Sequence, residues 1–163
     1  MIRRHALHCT LALVTAAALG GCASPASAPR TVAAATAATP ALSTFHRLAA
    51  DAGLLTTLEG PGPYTVFAPS DAAFQALPAK TLDVLRADKA QLKAVLSHHV
   101  VPGRIAAADA RPGKARTLQG TDIALARAGT YLTVEDALVE RADLRTGNGV
   151  VHIVDRVLMP PRK

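Results

Sequence analysis

A chain of 163 residues can hold one domain, and 50% hydrophobic with 18% charged residues is typical of a globular core. Only 3% of the residues are aromatic and none is Trp, which disfavours nucleic-acid binding by base stacking. The formal charge of +6 includes two arginines at the N-terminus. Because the other basic residues are scattered, the sequence predicts a solvated surface rather than a patch for nucleic acid or anionic lipid.

The N-terminal segment has the pattern of an export signal. Arg3 and Arg4 precede an apolar stretch, residues 6–19, that is short for a membrane span. It ends in Leu19-Gly20-Gly21-Cys22, which resembles a bacterial lipobox. The sequence therefore predicts a signal peptide over residues 1–21 and palmitate-type lipidation of Cys22. That modification would hold the protein on the extracytoplasmic side of the cell envelope, at an outer membrane or the cell surface. The alternative is an ordinary cleavage site followed by a free cysteine.

Residues 22–40 are predicted to be the lipidated Cys22 followed by a flexible linker. Residues 23–40 are mostly Ala, Ser, Pro and Thr, without an apolar period or a large side chain. Such a composition is typical of a disordered tether. No cysteine follows Cys22, so the sequence predicts a domain without disulfides.

The first structured elements are predicted to be helices. Apolar residues recur at helical spacing over residues 42–52 and again over residues 54–58, with Gly53 as a stop between them. Another short helix is predicted around residues 82–85, and an amphipathic helix is predicted from about Asp88 to Ser97. His99 continues the apolar face of the latter. We therefore expect His99 to be buried, with Ser70, Asp71 or a backbone carbonyl as its hydrogen-bond partner. Its neighbour His98 is expected to be more exposed.

Between these helices, residues 64–78 predict a strand that runs directly into a short helix. Phe67 belongs to a stretch that favours a buried strand, and Pro69 ends it because proline has no amide proton. Ser70 is predicted to cap the helix and Asp71 to lie in its first turn. Since so short a helix needs tertiary packing, Phe74 is expected to be buried.

After Gly103 the hydrophobic period changes to two. Candidate strands cover residues 116–118, 122–127, 131–134 and 138–144, and Asn148-Gly149 is a hairpin signal. Residues 150–154 are apolar on both faces except for His152, so a central strand is expected there. Helices first and strands later favour an α+β domain.

Three stretches resemble motifs of the fasciclin domain family. Residues 64–78 resemble its first signature motif, and residues 148–160, beginning Asn148-Gly149 and containing His152, resemble its second. Residues 96–103 are similar to its central Tyr-His motif, with His98 where the family usually has tyrosine. The resemblance implies one fasciclin domain over residues 41–160, with residues 161–163 as a C-terminal tail. It also implies a β-sandwich-like wedge with several short helices along one edge.

The resemblance further implies a non-catalytic adhesion or protein-interaction module. Its partner would be an unknown protein or a polysaccharide at the cell surface, and we expect a monomer without a cofactor. By resemblance, the partner-binding residues would be His98, His99, Val100 and Val101. The alternative is a carrier of a lipophilic, pigment-like molecule, which needs an apolar pocket. With three Phe and two Tyr, the chain has few large side chains to line one.

Enzyme and metal chemistry are disfavoured by the motifs. Ser70 lacks the Gly-x-Ser-x-Gly pattern of a nucleophile elbow, and helix capping explains it. The histidines lack the spacing of zinc ligands, such as HExxH. His99 and His152 both lie in apolar runs, so we expect them to be buried, neutral and hydrogen-bonded.

Overall fold

The structure, a computed structural model, describes residues 29–161, which contain six α-helices and seven β-strands. No helix in this range is long and apolar enough to cross a membrane. A 3-10 turn, Pro40–Leu42, joins the first two helices. The helices are α1 Val32–Ala38, α2 Ser43–Asp51, α3 Leu55–Leu58, α4 Asp71–Gln75, α5 Ala79–Ala87 and α6 Lys89–His98. The strands are β1 Tyr64–Pro69, β2 Val100–Pro102, β3 Gly113–Arg116, β4 Asp122–Ala128, β5 Tyr131–Val134, β6 Ala137–Thr146 and β7 Gly149–Val154.

The strands form one mixed sheet in the order β2-β1-β7-β6-β5-β4-β3. β1 and β7 are parallel, and the other neighbours are antiparallel. The two ends of this order meet, because the amide of Leu118, just after β3, donates to the carbonyl of Val100 in β2 at 2.7 Å. The sheet therefore folds over on itself. The predicted α+β class is confirmed.

Two hydrophobic cores lie on opposite faces of the central strands. One core packs the helices against the sheet and includes Phe45 and Phe74. The other lies inside the folded sheet and includes Phe67 and Leu158. β7, between β1 and β6, is buried along its whole length. The prediction of a central strand over residues 150–154 is thus correct.

The predicted strand-to-helix unit is present at β1 and α4. Pro69 is the last residue of β1, and the hydroxyl of Ser70 accepts a hydrogen bond from the amide of Ala73 at 3.3 Å. Phe74 is 3% exposed and packs with the helices. The sequence signals here were sufficient because capping and proline chemistry act within a few residues.

The prediction of a flexible linker over residues 22–40 is wrong for its second half, residues 31–40. Residues 32–38 form α1, with Val32 fully buried and Thr31 capping the helix by accepting from the amide of Ala34. An alanine-rich sequence has a strong helix propensity, and packing against α2 and β7 stabilises the helix. The signal peptide, Cys22, residues 22–28 and the last two residues of the tail lie outside the described residues.

Two predicted boundaries in the strands also change. β3 covers Gly113–Arg116 rather than residues 116–118, because Thr117 turns back to bond with Thr121. The predicted hairpin exists between β6 and β7, but its turn is Gly147-Asn148, since Thr146 pairs with Gly149. Asn148 is then a buried turn residue and Gly149 begins β7.

Candidate functional site

The four residues implied as partner contacts lie where α6 passes into β2. His98 is the last residue of α6, and His99 is its cap residue with helical backbone angles. Val100 and Val101 continue as β2 and pair with Val66 and Thr65 of β1. All four side chains are at most 3% exposed. A partner therefore does not reach them directly in this conformation, and their role in binding stays a prediction.

His99 is buried as predicted, and both of its ring nitrogens have partners. Nδ1 lies 2.8 Å from the carbonyl of Val95, and the amide of Leu158 donates to Nε2 at 2.9 Å. This pair of partners fixes the neutral tautomer with hydrogen on Nδ1. Burial is the main reason that the pKa of His99 is lowered to about 4. His99 therefore joins α6 to the segment after β7 as a neutral ring.

His98 is fully buried, so the prediction that it is more exposed than His99 is wrong. Its Nδ1 lies 2.7 Å from the hydroxyl of Thr121, in the turn that follows β3. The backbone of this turn is attached to β2 through Leu118 and Val100. The apolar period of α6 identifies only the side chains that pack against the other helices, and His98 is not among them. The other side is covered by a segment more than 20 residues away along the chain.

The hydrogen bonds around Thr121 determine where the proton of His98 lies. The hydroxyl of Thr121 donates to Oε1 of Gln119 at 2.7 Å, so its oxygen accepts from Nδ1–H of His98. The other nitrogen, Nε2, has no hydrogen-bond partner and lies 3.6 Å from Oε1 of Glu135. Burial lowers the pKa of His98, and the carboxylate of Glu135 opposes that shift.

His152 occupies the second signature motif and faces the inner core. Its Nε2 donates to the carbonyl of Ile105 at 2.8 Å, and the amide of Asp143 donates to Nδ1 at 3.3 Å. The ring stacks on Phe67 with a centroid distance of 5.3 Å. Burial is the main cause of its lowered pKa. The expectation of a buried, hydrogen-bonded His152 is confirmed.

Ser70 and Asp71 are engaged in structural contacts. The carboxylate of Asp71 accepts from the hydroxyl of Ser43 at 2.7 Å and from the amide of Thr44 at 2.8 Å. Burial alone would raise the pKa of Asp71, but these hydrogen bonds outweigh it, and the pKa is lowered. Asp71 therefore attaches α4 to the start of α2. Within residues 29–161 no cluster of three or more His, Cys, Asp or Glu residues could hold a metal ion.

Asn148 has a role that the sequence reasoning missed. Its Oδ1 accepts from the amide of Val32 at 2.7 Å, and its Nδ2 donates to the carbonyls of Leu58 and Gly60 at 2.8 and 2.7 Å. One side chain thus joins α1, the end of α3 and the β6–β7 turn. Beside it, a Cβ at Gly149 would overlap the carbonyl oxygen of Tyr64 in β1. The close approach of β1 and β7 requires glycine at this position.

Comparison with protein families and solved structures places the described fold among known proteins. A family model for the Fasciclin domain matches residues 40–160. A structure of a FAS1 domain pair from the insect cell adhesion molecule Fasciclin I is similar, with a TM-score of 0.68 over 81% of this chain and 52% of that one. At 17% sequence identity this likeness concerns the fold alone.

Curated relatives are more similar in sequence. The Cell surface glycolipoprotein MPB83 of Mycobacterium bovis is 41% identical over 135 residues, which are 80% of this chain and 60% of the relative. Protein sll1483 of Synechocystis sp. is 40% identical over 112 residues, 68% of this chain and 62% of the relative. The chain therefore spans about three fifths of the length of these relatives.

Proposed function

Because the chain belongs to the fasciclin domain family, we propose that it is a non-catalytic adhesion or protein-interaction module at the cell surface. One observation carries the proposal: 41% identity over 80% of the chain to a protein named a cell surface glycolipoprotein. Members of the family are generally adhesion or surface proteins. The partner would be a surface protein or a polysaccharide.

The proposal includes a lipid anchor on Cys22. Its support is the sequence Leu19-Gly20-Gly21-Cys22 after an apolar stretch, together with a relative whose name includes the word glycolipoprotein. The first residue of α1 is Val32, so only nine residues, 23–31, would separate the anchor from the folded domain. Nine residues span at most about 30–32 Å even when fully extended, so the domain would lie close to the lipid.

A non-catalytic role agrees with the hydrogen bonds of His99 and His152. A serine nucleophile needs an imidazole nitrogen that is free to take its proton. The ring nitrogens of His99 bond to the backbone at Val95 and Leu158, and those of His152 bond to Ile105 and Asp143. Ser70 itself caps α4. Because these side chains stabilise the fold, we assign the function to surface residues.

We propose that the contact surface is formed by the β3–β4 and β5–β6 turns, which are attached to His98 and to β2. Leu118 is 39% exposed, a large apolar side chain that projects from the turn after β3. Gln119 bonds to Thr121, and Thr121 bonds to His98. Glu135 lies on the other side of the same ring. The central histidine motif would then act on binding indirectly, by holding Leu118, Gln119 and Glu135 in place.

Photo-crosslinking on intact cells tests this contact surface. A photoreactive amino acid replaces Leu118, and in a matched control it replaces Tyr131, which is 63% exposed at the start of β5. We expect a partner to be captured from position 118 and not from position 131. Capture from position 131 alone would mean that the contact surface does not include Leu118. The absence of any cell-surface product from several exposed positions would contradict an adhesion role.

A second candidate function, the binding of a lipophilic molecule, also has an observation in its favour. An open apolar groove lies between α5, α6 and the C-terminal segment. None of the residues that line this groove is aromatic, so the small number of Phe and Tyr residues in the chain does not count against it.

A further inference from the structure

The groove is formed where α5 and α6 pack beside the last described residues. Its volume is about 400 Å³. Four of its residues come from α5, three from α6 and two from the segment after β7. The lining residues are Lys80, Thr81, Val84, Leu85, Gln91, Ala94, Val95, Met159 and Pro160.

The walls of the groove are mainly apolar and partly open to solvent. Leu85 and Val95 form a buried floor, while Val84 is 55% and Met159 is 42% exposed. These two are among the four large hydrophobic side chains in residues 29–161 that are exposed. Their position on two sides of one concavity indicates a surface that gains free energy when an apolar group covers it.

The charge of the lining is one-sided. Lys80 is the single charged residue among the nine that line the groove, and the lining has no acidic residue. Lys80 and Val84 are four residues apart on α5, so they lie on the same face of the helix. The groove thus places an ammonium group directly beside an apolar wall. This combination matches a ligand with an apolar chain and an anionic end.

The size of the groove favours a small molecule over a protein partner. Nine residues line it, whereas a stable protein interface uses about 20–30 residues on each side. Its volume of about 400 Å³ lies within the range of small-molecule sites, roughly 300–1,000 Å³.

We propose that this groove binds a free long-chain fatty acid. The acyl chain covers Val84, Leu85, Val95 and Met159, and the carboxylate lies against the ammonium group of Lys80. Thr81 and Gln91 supply polar side chains to the lining. The site is independent of the contact surface around Leu118, so either proposal can fail alone.

The test uses the full-length protein in nanodiscs of neutral lipid and a long-chain fatty acid that carries a diazirine. After irradiation and digestion, labelled peptides are identified by mass spectrometry. We expect label on α5, on residues 91–95 of α6 and at Met159, and we expect unlabelled fatty acid to displace it. Val84→Glu should reduce this labelling at least about tenfold, because it puts a carboxylate on the wall that the acyl chain covers and lets that carboxylate pair with Lys80, one helical turn away, in place of the fatty acid. Since Val84 is exposed, the variant should keep the unfolding midpoint of the unchanged protein.

Lys80→Gln tests the charge. It should weaken labelling by the fatty acid about two- to fivefold, the range of an exposed ion pair, and leave labelling by the corresponding fatty alcohol unchanged. Lys93→Gln, on α6 but outside the groove, is the matched control and should change neither.

Label spread evenly over the surface, or label that Val84→Glu leaves unchanged, would overturn the site. Equal effects of Lys80→Gln on the acid and the alcohol would overturn the role of Lys80. A protein that dimerises through this face, with dimerisation lost in Val84→Glu and no label in the groove, would assign it to a second copy of the chain.

Discussion

The Nε2 atom of His98 lies 3.6 Å from Oε1 of Glu135 and has no hydrogen-bond partner, although the His98 side chain is fully buried. Because Thr121 accepts from Nδ1–H, the neutral ring presents its Nε2 lone pair to a carboxylate. Protonation of His98 would place a hydrogen on Nε2 and replace the repulsion between its lone pair and the Glu135 carboxylate with an ion pair. Glu135 has a φ of 55°, in a region that bulky residues seldom adopt. The contact between the end of α6 and the β5–β6 turn therefore depends on whether His98 is protonated.

His98→Ala should destabilise the protein about as much as His99→Ala. Each substitution removes a fully buried ring and leaves a hydrogen-bond partner unpaired, at a cost of about 1–3 kcal/mol plus lost packing. Denaturant unfolding of the two single variants measures the free energies. A loss below about 0.5 kcal/mol for His98→Ala, the usual value at surface sites, would contradict the buried position of His98.

Glu135→Gln should lower the pKa of His98 further. The carboxylate of Glu135 raises that pKa against the larger effect of burial, so its removal leaves burial unopposed. NMR titration of the imidazole signals measures the change. Asp136→Asn is the matched control, because Asp136 is the next residue but pairs with Arg156 at the surface. Equal shifts in the two variants would mean that Glu135 has no specific contact with His98.

Stability should fall as the pH is lowered from about 6.5 to 4. The pKa of His99 is lowered from 6.5 to about 4 in the folded protein, so between these values the unfolded chain binds a proton that the folded chain does not. The resulting loss is roughly 3 kcal/mol when complete. His98 and His152 also have lowered pKa values and act in the same direction.

Denaturant unfolding at several pH values between 7.5 and 4 measures this dependence. His99→Gln is the matched variant, since it removes the ionisable ring. It should be less stable at pH 7.5 and show a smaller decrease towards pH 4. A parent protein whose free energy of unfolding is constant from pH 7 to pH 5 would contradict a neutral, buried His99.

Local signals were enough to predict the elements whose chemistry lies within a few residues. Pro69 and Ser70 mark the end of β1 and the cap of α4, and the apolar period locates α6 and the burial of His99. The central position of β7 followed from a run that is apolar on both faces. These features depend on hydrophobic periodicity and on capping residues, so they can be predicted from a single sequence.

The missed features depend on distant contacts. His98 is covered by Thr121, 23 residues away, and α1 is attached through Asn148, 116 residues from Val32. Nothing in the Ala-rich composition of residues 23–40 indicates such a partner. Asn148 was interpreted from its turn propensity, which is correct, but its side-chain contacts could not be inferred from neighbours in sequence. The groove at Val84 and Met159 likewise combines segments that six of the seven strands separate along the chain.

Asn148→Ala should cost about 3 kcal/mol or more, because it leaves one buried amide and two carbonyls without their partner. Asn148→Asp is the informative comparison, since it keeps the oxygen that accepts from Val32 and loses both donors. Hydrogen exchange should show a Val32 amide that is protected in Asn148→Asp and unprotected in Asn148→Ala. A loss below about 1 kcal/mol for Asn148→Ala would mean that α1 and α3 are held by packing alone.

Cys22→Ser should abolish attachment of the domain to the membrane. Cys22 follows Leu19-Gly20-Gly21 after the apolar stretch, and a serine hydroxyl does not provide the thioether-forming sulfur on which a lipid anchor is built. In detergent-phase partitioning the unchanged protein should enter the detergent phase, and mass spectrometry should find lipid on the peptide that begins at Cys22. The substituted protein should be released or remain as an uncleaved precursor. Cys9→Ser, within the predicted signal peptide, is the matched control and should leave attachment unchanged. A cleaved Cys22→Ser protein that still enters the detergent phase would show that the domain is held at the membrane by something other than this cysteine.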